Sequence, residues 1–133
     1  MSIQVGWFNE QRKIILWTFP PKWSLEEFHE AYDQGNRLIR EVDHWTNAII
    51  DLRNSSIPNL INSTVISRAR TDPPNHDMSV ILTTNKFILM MAKIFERFPE
   101  TKNKFKIVSS MEDALAFCTQ RQNELTNTPL PNR

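Results

Sequence analysis

Ser55 and Ser56 stand side by side in the stretch AIIDLRNSSIPNL, just after an apolar run that reaches Asp51 and Leu52. A hydroxyl at the start of a helix is a good place for a phosphate, whose charge suits the positive end of the helix dipole. With Asn54, the same residues can equally be the plain turn between a strand and a helix. Nucleophilic catalysis needs a reactive group on an exposed turn with a base in reach. No G-x-S-x-G occurs, and His29, His44 and His76 are scattered along the chain. His29 and Asp33 are one helical turn apart and read as a solvated pair. The dipeptides Asp43–His44 and His76–Asp77 are too little for a metal site. Cys118 shares a predicted helix face with Ala114, Leu115 and Leu125, the setting of an inert buried thiol.

Other polar residues fall where predicted strands give way to helices: Ser24, Asn54, Ser55, Ser56, Thr84, Asn85, Ser109 and Ser110. In parallel sheets that edge is the usual ligand side, and such a rim could hold an anion at helix N-termini. The same residue types are also the preferred helix caps. A phosphate cradle generally requires glycine for close backbone approach. The chain has only Gly6 and Gly35, neither in the rim, so nucleotide binding is not expected.

The chain of 133 residues fits one domain, with 40% apolar and 23% charged residues and a net charge of +1. That balance lacks the basic stripe of a nucleic-acid binder and the charge of an electrostatic membrane binder. A single cysteine excludes an internal disulfide and a multi-cysteine zinc site, and it suits a reducing compartment. The first ten residues carry no leader pattern, and no apolar run is long enough to span a membrane. The expectation is a cytoplasmic protein without a bound cofactor.

The elements that must position these residues follow from periodicity. Residues 3–8 and 13–19 predict two strands joined as a hairpin, the second apolar on both faces through Ile14 and Leu16, and Ile15, Trp17 and Phe19. Ser24 and Glu27 form a capping box opening a first helix. Gly35 lies inside that helix's apolar arc, marking either a close approach to the sheet or a weak spot. Residues 46–52 predict a third strand. A second helix follows over 59–70, with Pro58 in its first turn. Residues 78–83 predict a fourth strand. A third helix capped by Thr84 or Asn85 runs to Phe98. A fifth strand over 105–108 precedes a last helix, capped by Ser110, that ends near Leu125. The order is ββαβαβαβα: a single α/β domain over 1–125, with a mostly parallel five-stranded sheet and four helices. Residues 126–133 form a polar tail expected to fray.

Three stretches resemble the STAS domain of bacterial anti-sigma-factor antagonists. WTNAIIDLRNSS resembles that family's third strand, which ends in an aspartate and leads into a serine-bearing loop. SVILTTNKF resembles the fourth strand and its turn, and KIVSSMEDALAF the closing strand and helix. The resemblance implies a non-catalytic, regulatory protein-interaction module whose partner site includes Asn54, Ser55 and Ser56. Phosphoregulated members place the modified residue in an Asp-Ser-Ser-Gly type turn. NSSIPN here lacks the glycine and the preceding aspartate, as in a divergent member with a different partner.

The third predicted helix, KFILMMAKIFERF, adds a second candidate surface. Its apolar residues, including Phe87 and Ile88, cover an arc of about 160°, wider than the ~100° a surface helix needs. Leu89 and Met90 fall outside that arc, among Lys86, Lys93, Glu96 and Arg97. The helix is therefore either sunk in the core or covered by a second protein. The expectation is an interaction module contacting a protein partner or a second copy through Asn54–Ser56, Leu89 and Met90. The alternative is a carrier of a lipid or small apolar ligand held between sheet and helices.

Overall fold

The structure is a computed structural model and describes residues 2–55, 73–95, 97 and 104–131. β1 (Gln4–Trp7) and β2 (Ile14–Thr18) form the expected antiparallel hairpin. Asn9 shapes its turn by accepting from the Gln11 N–H at 3.0 Å, and Arg12 closes it in the left-handed region at φ 55°. β3 (Thr46–Asp51), β4 (His76–Leu82) and β5 (Phe105–Val108) follow in sequential order, each parallel to its predecessor. The result is a mixed five-stranded sheet ordered β1-β2-β3-β4-β5.

Three helices are described: α1 (Leu25–Arg40), α2 (Lys86–Phe95) and α3 (Met111–Leu125). The helix predicted over 59–70 lies outside the described residues. Each described helix starts where a side chain can serve its orphan N–H groups. Ser24 Oγ accepts from the Glu27 N–H at 3.1 Å, and the Glu27 carboxylate accepts from the Ser24 N–H in return. Asn85 Oδ1 accepts from the N–H groups of Phe87 and Ile88. Ser110 Oγ accepts from the Asp113 N–H at 3.1 Å.

The sheet is buried on both faces, which is why β2 and the middle of β3, Ala48–Ile50, are apolar without alternation. On one face Ile15, Trp17, Phe19 and Ala48 meet α1 and Ile88 of α2. On the other, Ile49, Val80 and Leu82 meet Ala114 and Cys118 of α3. Placing α1 and α2 on the same face is what right-handed crossovers between sequential parallel strands require.

Gly35 marks a close approach. A Cβ there would collide with Cζ2 of Trp17 and lie 2.8 Å from its Cε2. The indole is fixed against the helix by its N–H, which donates to the Ala31 carbonyl at 3.2 Å. From Trp17 a chain of rings runs through Tyr32, Phe28 and Trp23 to Phe19, with centroids 5.1–6.0 Å apart. These rings fill the space between α1 and the hairpin.

Several expectations differ from the structure: α2 ends at Phe95 rather than running to Phe98, with Arg97 in a turn. β4 begins at His76 rather than at residue 78, because alternation of apolar side chains starts only at Met78 while backbone pairing starts earlier, opposite Thr46. The tail is tied back at its start: the Trp45 indole N–H donates to the Thr128 carbonyl at 3.0 Å.

Candidate functional site

The turn after β3 is built from its own side chains. Asp51 is buried at the strand end and accepts three hydrogen bonds from Arg53. One comes from the backbone N–H at 3.1 Å, and two come from the guanidinium at 3.0 and 2.9 Å. Burial pushes the Asp51 carboxyl up, but the side-chain and backbone hydrogen bonds from Arg53, with its charge, outweigh that and leave it below its usual value. The Ser55 N–H donates to the Leu52 carbonyl at 3.1 Å, closing the turn. Ser55 Oγ accepts from the Trp23 indole N–H at 2.8 Å. Ser55 is therefore a post joining the turn to the start of α1. Asn54 is exposed beside it, and Ser56 lies outside the described residues.

Most of the polar rim has similar local work. Ser24, Asn85 and Ser110 cap helices, and Thr83 Oγ1 accepts from the Asn85 N–H. Thr84 and Ser109 are exposed. The histidines lie apart. His29 packs beside Phe28 on α1, His44 Nε2 donates to the Arg12 carbonyl at 2.7 Å, and His76 Nε2 meets Ser79 Oγ at 3.0 Å. Among the described residues no group of three or more His, Cys, Asp or Glu could hold a metal.

α2 is rolled relative to its hydropathy pattern. Ile88 is buried against the sheet. Leu89, expected among the charged residues, is half-buried in an open cleft of about 570 Å³ between α2, β5 and α3. Phe87, expected in the apolar arc, is 40% exposed, and Met90 is 52% exposed. The rotation follows from cover on two sides: the sheet takes Ile88, while β5 and α3 shelter Leu89. The β3 turn and the start of α2 sit at the same end of adjacent strands, joined where the Leu52 N–H donates to the Leu82 carbonyl. Arg53, Asn54, Thr84, Lys86 and Phe87 thus share one exposed edge.

The opposite end of the sheet holds a polar cluster with a structural role. Arg121 of α3 grips Asp77 of β4 through Nε at 2.9 Å and a terminal nitrogen at 2.7 Å, and reaches Glu124 at 2.8 Å. The hydrogen bond to Asp77 raises the Arg121 pKa, keeping it charged. Asn47 Nδ2 donates to the same carboxylate at 2.9 Å, and Gln122 donates to Asn47 Oδ1. Asn75 binds the carbonyls of Ile39, Val42 and His44 through Nδ2, tying the end of α1 to the start of β4.

Cys118 is fully buried, and burial together with the Asp77 charge pushes its thiol up to about 12. Native protein should react with a disulfide-exchange reagent more than about a hundredfold more slowly than denatured protein, because both access and thiolate are missing. Equal rates in the two states would show that α3 does not cover this face.

No family model matches the chain. No curated protein and no solved structure matches it significantly either. Its chemistry is therefore read from its own geometry. Among the described residues no helix is long and apolar enough to cross a membrane. The exposure of Phe87 and the sheltering of Leu89 were hidden from the sequence, since a helical wheel ranks side chains without knowing what flanks the helix. Arg53 was also missed; its spacing from Asp51, two residues on, was the available signal.

Proposed function

We propose that this chain is a non-catalytic, regulatory protein-interaction module of STAS-like architecture, working through the Asn54–Ser56 turn and the helical surface beside it. The observation that supports the reading best is the pair of large apolar side chains, Phe87 and Met90, left open on α2 at that edge. Large apolar groups gain nothing in water. Covering the exposed half of each contributes on the order of 1 kcal/mol, and each 1.4 kcal/mol is about tenfold in affinity. Asp51, Arg53, Ser55, Thr83 and Asn85 nearby are engaged in the turn and the cap, which favours a surface over a reaction centre. A carrier needs room between sheet and helices; under α1 the ring chain from Phe19 to Trp17 occupies that space, and the cleft between α2, β5 and α3 is open to solvent.

Phe87→Glu with Met90→Glu should leave the circular dichroism spectrum and melting curve near wild type, as surface changes usually do within about 0.5 kcal/mol. The double variant should lose specific partners that the wild-type protein captures from its native host. An unchanged capture profile with an intact fold would sink the reading. A small apolar molecule co-purifying in native mass spectrometry would turn the assignment towards a carrier.

A further inference from the structure

Among the described residues β5 is one edge of the sheet, paired with β4 alone. The Lys104 carbonyl accepts from the Ser79 N–H and the Val108 carbonyl from the Thr83 N–H, so the backbone groups of 104, 106 and 108 point at β4. By the alternation of a strand, the N–H and C=O of Phe105, Ile107 and Ser109 point outward. Among the described residues no hydrogen bond between backbone groups reaches the outward groups of Phe105 and Ile107. The open cleft lies along this edge. Leu89 of α2 stands on one side, and Ala116 and Phe117 of α3 stand on the other. Lys106 is exposed in it, with its ammonium 5.8 Å from the Phe117 ring centroid. Lys86 and Lys93, both exposed, lie on the helical stripe through Leu89, one turn to either side. Asp113 is the one acidic residue among the described lining residues.

We infer that this edge is a docking site for an extended, acidic segment of another protein, which adds a sixth strand beside β5. This rests on the reading of the chain as an interaction module and names its partner's chemistry. Only a strand complements a row of outward N–H and C=O groups. Alternate side chains of that strand would meet Leu89 on one side and Phe117 on the other, as strand addition to a sheet edge demands. The cations Lys86, Lys93 and Lys106 select carboxylates at the remaining positions. The same lysines disfavour a second copy, because self-pairing would bring β5, with Lys106, against its own twin. Lysine on an edge strand is a common guard against indiscriminate pairing; an acidic segment is the partner that such a guard admits.

The test is selection of peptides from a phage-displayed random library against the full chain, followed by anisotropy titration of the recovered sequences. Recovered peptides should alternate apolar residues with Asp or Glu. Lys106→Glu should weaken their binding about tenfold or more. Ile107→Pro removes an outward N–H, and shortens one side chain in the cleft, without touching the ladder to β4, a change that edge strands accommodate; it should abolish binding. Amide shifts on titration should centre on Phe105, Ile107 and Ser109. Should Ile107→Pro fail to fold, Lys106→Glu and the amide shifts decide the matter.

Recovered peptides without acidic preference, or binding that survives Ile107→Pro in folded protein, would overturn the inference, as would a library that yields nothing. Shifts centred on Arg53–Ser55 instead would overturn the edge site and leave the interaction-module reading standing. A dimer in sedimentation that Ile107→Pro dissolves would assign the edge to a second copy, against the inference.

Discussion

Replacing Asp77 with alanine should destabilise the domain by about 3 kcal/mol, the lower end of what is lost when one partner of a buried ion pair is removed. The Asp77 side chain is 10% exposed and the Arg121 side chain 28%. Without the carboxylate, Arg121 can turn partly to solvent and keep its contact with Glu124 at 2.8 Å, which is why the upper end is not reached. The second part of the loss falls on Asn47, fully buried, whose Nδ2 donor is left without its acceptor. A domain of this size should melt about 10 °C lower. The pair need not be stabilising in itself, since a buried ion pair exchanged for apolar groups of similar volume is often neutral. Asp77→Leu with Arg121→Met should therefore recover only the part of the loss that falls on Arg121, because Asn47 Nδ2 still lacks its acceptor. A denaturation midpoint unchanged in Asp77→Ala would show that this cluster does not hold α3 to the sheet.

Gly35→Ala should destabilise by about 1–3 kcal/mol, the cost of overpacking a filled interior. The direction is unusual. Alanine in a helix interior is favoured over glycine by about 1 kcal/mol, and at an unconstrained site the exchange would stabilise. Here the new methyl meets Trp17, whose ring cannot withdraw. Its N–H is held by the Ala31 carbonyl at 3.2 Å, and its face is stacked on Tyr32 at 6.0 Å. A smaller ring removes the collision, so Gly35→Ala in a Trp17→Phe background should be neutral or stabilising. The reversal of sign between the two backgrounds, read from urea denaturation, is the critical result. A stabilising Gly35→Ala in the wild-type background would mean the contact is not there.

What could be read from the sequence was what depends on neighbours along the chain. The hairpin, the capping box at Ser24, the N-cap at Ser110, and the apolar faces of β2 and α1 are local patterns, and the α/β class follows from their order. Gly35 was legible because it broke a pattern that otherwise held. The Asp77–Arg121 grip was not legible, since its partners are 44 residues apart and each alone resembles an ordinary surface charge. Asn75 was hidden likewise: it looks like one residue of a breaker loop, yet its side chain ends one helix and starts one strand. The roll of α2 depends on β5 and α3 arriving beside it. The role of Ser55 depends on Trp23, 32 positions earlier.

The placement of α3 also has a consequence in time. It follows every strand in chain order, yet it alone among the described helices covers the face carrying Ile49, Val80 and Leu82. A ribosome delivers the polypeptide from its N-terminus, so the hairpin and α1 emerge first and can close the Trp17–Gly35 contact at once. Among the described helices, none covers the opposite face until residues 111–125 are made. At about 5–20 residues per second, the interval from Ile49 to Leu125 is on the order of ten seconds. For that period the nascent chain is a sheet finished on one side only. A nonsense codon between Val108 and Met111 would make that half-built condition permanent, leaving a product whose fate is set by chaperones and proteases rather than by its own stability.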